Sequence, residues 1–348
     1  MHRYPRAKLL LSVMVLISLI NCVDDDDPVD EPTDIYLSGT LAADTTIASN
    51  SILHLNETLL VPSGITLTIE SNVEVACSSS VLLRLTGQLV VIGTAENKVV
   101  FNSSSDEKWA GILVESEGVI EMTYAIVSNA TNGMQYYGEA CNLTHCSFRL
   151  SDGYGLYIQD VENQLVLNNC TFDDNVTGIE LLNSSLQISD CVFSNNSERG
   201  IVSRGSQCII SQSVFSDNYI SLLSDNSDHS VVSECDFNGN FIGIYYRISA
   251  YINLVNSNLS NNQYHLQIGQ QNWQNRHNLL CEGNNFMSFH TYAIRLTEVS
   301  TFDPYTLQLG VNYYNTTDSI AITEMMFDVF DDPNCDTLQF VPFAMTPF

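Results

Sequence analysis

The chain has 348 residues and carries 40 acidic against 12 basic residues, a formal charge of −28 at pH 7. Such an acidic surface excludes nucleic-acid binding, because phosphates require clustered lysine and arginine, and anionic lipid headgroups repel it. Apolar residues make up 45% of the chain and charged residues only 15%, so a buried core is expected beneath a surface of Asn, Ser, Thr and Gln. This composition is poor in strong helix formers and favours an all-β protein with polar turns.

The first 34 residues are predicted to serve as an export signal and a tether. Three cationic residues precede the apolar run Leu9–Ile20, which fits a secretory signal and is shorter than the ~20 residues that span a bilayer. The run ends in Leu-Ile-Asn-Cys, which resembles a bacterial lipobox with Cys22 as the lipidated residue, although Asn21 stands where the motif has a small residue. The acidic, proline-containing residues 22–34 then fit an extended tether.

The lipobox resemblance implies a lipoprotein signal peptide over residues 1–21 and an outer-membrane anchor at Cys22. The acidic run that follows resembles the export signal of surface lipoproteins in some Gram-negative bacteria, so we expect the protein to face the cell surface. Loss of residues 1–21 removes three cations and leaves 9 basic and 40 acidic residues, a charge of −31. The alternative is an ordinary cleaved signal, with Cys22 as a structural thiol.

The body of the chain repeats about every 22 residues, and three columns recur in register. The first column holds Cys146, Cys170, Cys191, Ser213, Cys235, Ser257 and Cys281; the second holds Phe148, Phe172, Phe193, Phe215, Phe237 and Leu259; the third holds Asn175, Asn196, Asn218, Asn240 and Asn262. Short runs with alternate apolar residues accompany these columns, which is the period of a strand. One such unit buries no core alone, so we expect stacked coils about 4.8 Å apart with the columns pointing inward. The asparagines are expected to take the left-handed conformation at the turns and to bond to one another along the axis.

This pattern resembles the right-handed parallel β-helix of the pectate-lyase-like superfold. The segment Gly310–Thr316 resembles the Asn-Tyr-Trp-Gly-Thr sequence that closes many such domains, with two substitutions. The resemblance implies one domain, with the β-helix over residues 35–300 and a C-terminal coil and cap over 301–348. Ile320–Phe330 is predicted to be a helix that caps the last coil. The leucine-rich repeat, the main alternative, is excluded because its Leu-x-x-Leu-x-Leu-x-x-Asn signature is absent.

Cysteine and histidine are expected to have structural roles. The column cysteines should pack as small apolar side chains, because serine replaces them in some copies. Pairing among the cysteines outside the column is left open; these are Cys77, Cys141, Cys208 and Cys335. The spacings contain no zinc motif, so no metal and no cofactor are expected. Calcium bridging of surface carboxylates stays open but has no repeat motif behind it. The seven histidines are expected at the surface.

The polar residues just before the cysteine column are predicted to form an outward strip on the strands: His145, Asn169, Asp190, Gln212, Glu234 and Asn256. Asp190 and Glu234 are the weak catalytic candidates, because two coils separate their backbones by about 9.6 Å, near the separation in inverting glycosidases. Asp174 and Asp217 have the same relation in the adjoining turn. An acidic protein shows such pairs by chance, so catalysis is not favoured.

The family comparison also argues against catalysis. Of the segments that polygalacturonase-like enzymes share, only Asp-Asp is present, at Asp173 and Asp174. Pectate-type lyases need a cationic base beside calcium-binding carboxylates, and only three arginines stay as formal candidates for that base: Arg149, Arg204 and Arg247.

Sugar binding is the favoured function. Tyr157 and Tyr245 are predicted at equivalent outward positions, where their rings can contact a polysaccharide beside Asn169, Gln212 and Asn256. The leading interpretation is an exported lipoprotein with a β-helix domain that binds glycan without catalysis. The alternatives are a polysaccharide lyase or glycoside hydrolase of the same superfold, and a purely structural envelope component.

Overall fold

The computed structural model describes residues 31–226, 229–247, 251–269, 278–297, 306–328, 331–332, 337–340 and 342–348. The strands in these ranges form three long parallel sheets and one two-stranded sheet. Sheet 1 has 12 strands: Thr33–Tyr36, Ser51–Leu55, Val73–Cys77, Val99–Ser103, Ala125–Ser128, Ser147–Arg149, Thr171–Asp173, Val192–Ser194, Val214–Ser216, Asp236–Asn238, Asn258–Ser260 and Asn285–Met287. The first of these strands begins two residues before the predicted start of the domain.

Sheet 2 has 13 strands: Gly39–Thr40, Leu59–Val61, Leu82–Leu85, Gly111–Val114, Met134–Tyr136, Tyr154–Gln159, Thr177–Leu182, Arg199–Arg204, Ile220–Asp225, Ile242–Arg247, Tyr264–Ile268, Tyr292–Leu296 and Met326–Phe327. Sheet 3 has 11 strands: Thr45–Ile47, Thr66–Glu70, Gln88–Ile92, Val119–Thr123, Ala140–Thr144, Leu165–Asn168, Ser185–Ser189, Gln207–Ser211, Ser230–Ser233, Tyr251–Val255 and Asn278–Glu282. The two-stranded sheet pairs Thr306–Gln308 with Thr337–Gln339.

Each coil passes through sheets 1, 2 and 3 in turn, so each strand pairs with the strand three elements later in the chain. This order confirms the predicted all-β parallel β-helix. Side chains alternate between the core and the surface, and the register places equivalent residues of successive coils side by side. The predicted inward phenylalanine column is confirmed, because its rings are fully buried and stack with centroids 4.7–5.3 Å apart.

The asparagine column forms a buried hydrogen-bonded ladder in the turn from sheet 1 to sheet 2. The backbone N–H of Asn196 donates to Oδ1 of Asn218 at 3.1 Å, and the side-chain amide of Asn196 donates to the same oxygen at 2.9 Å. Asn218 repeats this pattern toward Asn240. The left-handed conformation, however, falls on the residue before each asparagine, such as Asn195 and Asp217 with φ of 53° and 56°. The predicted axial bonding is confirmed, while the predicted left-handed conformation is displaced by one residue.

The asparagine ladder ends at a buried histidine. Nδ1 of His265 accepts from the amide of Asn262 at 2.9 Å, and its Nε2 donates to the carbonyl of Met287 at 2.7 Å. Burial lowers the pKa of His265 to about 4, which keeps the ring neutral and Nδ1 free to accept. The surface position expected for every histidine is therefore wrong for His265, which pairs with Gly243 in the inward glycine position of the preceding coil.

The cysteine column forms a second ladder in the turn from sheet 3 to sheet 1. The N–H of Cys191 donates to Oγ of Ser213 at 3.1 Å, and that hydroxyl donates to the carbonyl of Ser211 at 2.8 Å. In the preceding coil, Sγ of Cys191 accepts the N–H of Cys170 at 3.3 Å. Thiol and hydroxyl thus fill equivalent positions in this ladder.

One member of the predicted column is wrong. Asn284 follows Ser257 in the ladder, because the N–H of Ser257 donates to Oδ1 of Asn284 at 2.9 Å. Cys281 lies inside its strand and pairs with Leu254. The error arises because 27 residues separate Ser257 from Asn284, so a search at a spacing of about 22 stops short of Asn284 and selects Cys281, three residues before it.

All cysteines in the described ranges are free and buried. Cys141 and Cys208 lie in one column of sheet 3, three coils or about 14 Å apart, which is too far for a disulfide. Cys77 is also free, and Cys335 and Cys22 lie outside the described residues. The described part of the molecule therefore contains none of the disulfides that the sequence left open.

The C-terminal segment covers the edge of sheet 2. A helix, α1, spans Ser319–Glu324, and Oδ1 of Asp318 accepts the N–H of Ile320 at 2.9 Å to cap it. The predicted helix Ile320–Phe330 is too long, because Met326–Phe327 pairs with Ile294 and Arg295 as the last strand of sheet 2. Met326 and Phe327 hydrogen-bond to this open strand edge instead of continuing the helix. Within the described ranges, no helix is both long and apolar enough to cross a bilayer.

Candidate functional site

The predicted polar strip lies in turns and not on strands. Asn169, Asp190, Gln212, Glu234 and Asn256 have φ between 50° and 56°, the left-handed conformation, in the turn from sheet 3 to sheet 1. The sequence pattern identified the outward side correctly for these five, since their side chains are exposed. The sixth predicted member, His145, has the same left-handed conformation but is half-buried and stacks on Tyr124. The pattern misplaced them on strands because a left-handed turn residue interrupts the alternation of inward and outward positions.

The turn column keeps Asp190 and Glu234 two coils apart, with Gln212 between them. The N–H of Asp190 donates to the carbonyl before Gln212, and the N–H of Gln212 donates to the carbonyl before Glu234. Both carboxylates are exposed, and neither pairs with a cation in the described part of the chain. An open turn of this kind holds no substrate away from water, which a carboxyl general acid requires.

Tyr157 and Tyr245 do lie at equivalent outward positions, but on sheet 2. The register links Tyr157 to Glu180, Val202, Leu223 and finally Tyr245. Four coils separate the two tyrosines, which is about 19 Å along the axis. The turn with Asn169 joins sheet 3 to sheet 1 and does not border sheet 2. The two predicted sets of ligand-binding residues therefore do not form one surface, and their roles stay predictions.

The outer face of sheet 2, from Tyr154–Gln159 to Tyr292–Leu296, carries a ladder of paired charges. A guanidinium nitrogen of Arg247 lies 2.8 Å from Asp225 Oδ2, and Arg204 forms an ion pair with Glu180. Arg204, Asp225 and Arg247 occupy one column in successive coils. Side chains of both carboxylates are only 12% exposed, against 40% and 39% for Arg204 and Arg247. We call these four residues the charge ladder.

From the sequence alone, Arg204 and Arg247 are only formal candidates for a lyase base, and Glu180 and Asp225 are not candidates. A signal was present, because Arg204, Asp225 and Arg247 each end the second apolar run of their repeats, and Glu180 interrupts that run in its own repeat. Their pairing was not visible, since 24 residues separate Glu180 from Arg204.

Two tyrosines adjoin the N-terminal end of the charge ladder. The rings of Tyr154 and Tyr157 lie 5.2 Å apart, and the hydroxyl of Tyr157 donates to Oε1 of Gln159 at 2.6 Å. Burial first, and then the negative charge of Glu180, raises the pKa of the Tyr154 hydroxyl. Burial and neighbouring tyrosine and acidic groups raise that of Tyr157. Both phenols therefore stay protonated near neutral pH and act as hydrogen-bond donors, not as bases.

The centre of the same face is apolar. Val202, Ile220, Leu223 and Ile242 form a buried cluster separate from the main core, and Tyr245 and Tyr264 pack against it. Beyond it, the guanidinium carbon of Arg295 lies 4.9 Å from the centre of the Tyr264 ring. The face thus combines half-buried aromatic side chains, paired charges and a buried apolar cluster.

The described ranges contain no group of three or more His, Cys, Asp or Glu side chains able to hold a metal ion. His54 pairs with Asp34 at 2.6 Å, away from other candidate ligands. On the described part of the face of sheet 2, the two low-exposure carboxylates each pair with an arginine.

Comparison with known proteins bears on the fold. The family model described as right handed beta helix region matches residues 88–221 and 154–304, more than half of the chain. A crystal structure of the periplasmic alginate epimerase AlgG is similar, with a TM-score of 0.63 and 15% sequence identity; the match covers 83% of this chain and 77% of that one. No curated protein matches the chain.

Proposed function

Because this chain belongs to the right-handed β-helix family, we propose that it is an exported lipoprotein that binds polysaccharide on the outer face of sheet 2 without cleaving it. The observation that carries the proposal is the position of Tyr157 and Tyr245 in one outward column, with the charge ladder beside them. A parallel solenoid offers equivalent positions along its axis, which suits a ligand that is itself a chain. The similar structure of an alginate epimerase adds a polysaccharide-active example of the same fold.

The absence of catalysis is part of the proposal. Tyr154 and Tyr157, which adjoin the charge ladder, have raised pKa values and so carry no phenolate to act as a base at neutral pH. Asp190 and Glu234 lie in an exposed turn. The alternative, a lyase or hydrolase, needs one group poised as acid or base in a site that excludes water.

The binding test uses the mature chain on a glycan array, followed by titration of the best ligand by calorimetry. We expect Tyr157→Ala and Tyr245→Ala each to weaken binding by about tenfold, since stacking of a sugar on a ring is worth about 1 kcal/mol or more. Tyr36→Ala is the control, because Tyr36 is 65% exposed on sheet 1. Unchanged affinity in both sheet 2 variants would contradict the assigned face.

Catalysis is tested on a panel of neutral and acidic polysaccharides by measuring reducing ends and unsaturated products. We expect none. Product that disappears in Asp190→Asn or Glu234→Gln would favour the hydrolase or lyase, and product that disappears in Glu180→Gln would move the reaction to sheet 2.

The anchor is tested separately. A lipidated Cys22 predicts that the protein fractionates with membranes and that Cys22→Ser releases it. Several acyl chains are needed, because one chain gives only marginal binding at about 0.8 kcal/mol per buried CH₂. Intact mass of the membrane fraction gives the answer, and an unmodified Cys22 there would refute the anchor. Protease treatment of whole cells then distinguishes a surface from a periplasmic orientation.

A further inference from the structure

We infer that the outer face of sheet 2 selects uncharged glycan chains and rejects polyuronates. This inference rests on the proposed function and adds the ligand class. It follows from how the arginines of the face are already paired, together with the charge of the whole chain.

Sheet 2 carries five arginines: Arg84, Arg199, Arg204, Arg247 and Arg295. Four of them pair with a carboxylate inside the protein: Arg84 with Glu115, Arg199 with Glu198, Arg204 with Glu180 and Arg247 with Asp225. Arg295 lies over the Tyr264 and Phe327 rings and has no ion pair with a described residue. Arg84 lies on Leu82–Leu85, outside the face from Tyr154–Gln159 to Tyr292–Leu296. Within that face three of the four arginines are paired, so the face is close to electrically neutral, within a chain of charge −28.

To bind Arg204 or Arg247, a uronate chain would have to take the guanidinium from its present partner; Arg295 is the exception on this face, because it has no ion pair with a described residue. Glu180 and Asp225 are only 12% exposed as side chains. Removing the guanidinium would take the cationic partner away from a poorly solvated carboxylate, which costs more than an exposed pair returns. The acidic surface around the face adds repulsion over about 8–10 Å at ordinary ionic strength.

Binding of sugar hydroxyls does not require the ion pairs of the face to separate. A hydroxyl both donates and accepts, so it can bond to a paired carboxylate and a paired arginine without separating them. The hydroxyl of Tyr157 already donates to Oε1 of Gln159, and its oxygen can still accept a bond from a sugar hydroxyl. The half-buried ring of Tyr245, which packs against the buried cluster that includes Val202 and Leu223, offers an aromatic surface to the apolar face of a pyranose ring.

The experiment titrates the mature chain with neutral hexasaccharides of glucose, mannose and galactose and with a hexasaccharide of uronic acid, at 20 and 500 mM NaCl. We expect at least one neutral ligand to bind, with an affinity that changes by less than about twofold with salt. The uronate should bind more weakly at low salt than at high salt, because salt screens the repulsion.

The matched variant is Glu180→Gln with Asp225→Asn, which keeps the shapes and frees two arginines. It should gain at least about fivefold in affinity for the uronate at low salt, through new charge-assisted bonds. Circular dichroism checks that the variant is folded, and the salt dependence of the unmodified protein tests the inference if it is not.

The outcomes separate the two proposals. Tighter binding of uronate than of every neutral ligand, weakened by salt and abolished by Tyr157→Ala, would overturn the neutral-ligand inference and leave the binding face standing. Failure of every glycan to bind would overturn both.

Discussion

Replacement of one ladder asparagine by alanine should destabilise the β-helix strongly, although the side chain removed is small. In Asn218→Ala the N–H and the side-chain amide of Asn196 lose their shared acceptor, at 3.1 and 2.9 Å. The carbonyl of Phe193 loses a donor at 2.9 Å. The site is 2% exposed, so water cannot replace these partners.

The magnitude follows from the groups left behind. A buried donor or acceptor without a partner costs about 1–3 kcal/mol, and each remaining hydrogen bond lost costs about 1 kcal/mol. Asn240 is partly protected, because its Oδ1 still accepts the backbone N–H of residue 218 at 2.9 Å. We therefore expect the free energy of unfolding to fall by about 3–4 kcal/mol.

The assay is urea unfolding of the mature chain, followed by far-ultraviolet circular dichroism. Asn163→Ala is the matched control, because Asn163 is exposed and makes one hydrogen bond, to the carbonyl of Glu139; its effect should stay within about 0.5 kcal/mol. Equal, small effects of Asn218→Ala and Asn163→Ala would refute the view that the buried amides hold neighbouring coils together.

Three further predictions concern the core. Phe193→Ala should cost about 3–5 kcal/mol by the same assay, because the ring is fully buried between two others; Phe193→Leu should cost less than half of that, since Leu259 fills the equivalent position. Cys191→Ser should lower the free energy of unfolding by less than about 1 kcal/mol, because the hydroxyl of Ser213 in the next coil has both a donor and an acceptor at the equivalent position. A larger loss would mean that the thiol contributes more than a small side chain of similar size. His265 takes up its proton near pH 4 when folded and near 6.5 when unfolded, so only the unfolded state gains protons as the pH falls through this window. Between pH 7 and pH 4, the free energy of unfolding of the wild type should fall by about 3 kcal/mol more than that of His265→Gln. Free energies of unfolding that change in parallel with pH in the two proteins would contradict the buried, neutral ring.

The periodic sequence determined the fold and most of the core. Phe193 and Asn196 recur at fixed positions in successive copies, and a unit of about 22 residues with period-two alternation can bury them only by stacking. The inward phenylalanines, the asparagine ladder and the equivalence of Tyr157 and Tyr245 all follow from this repetition, because residues at equal positions in equal coils must be neighbours.

Only the tertiary structure decided the positions that depend on coil length, turn geometry and pairing between columns. Asn284 replaces Cys281 in its ladder because the coil after Ser257 has 27 residues, against 22 in the coil before it, and left-handed turn residues removed Asp190 and Glu234 from the strands. The side chain of Arg204 extends from its own column to Glu180 in another column. Such a contact joins two repeats, so no single repeat contains it. The sequence thus determined what each coil buries, whereas the surface composed by several coils depended on their register, and that is where the proposed site lies.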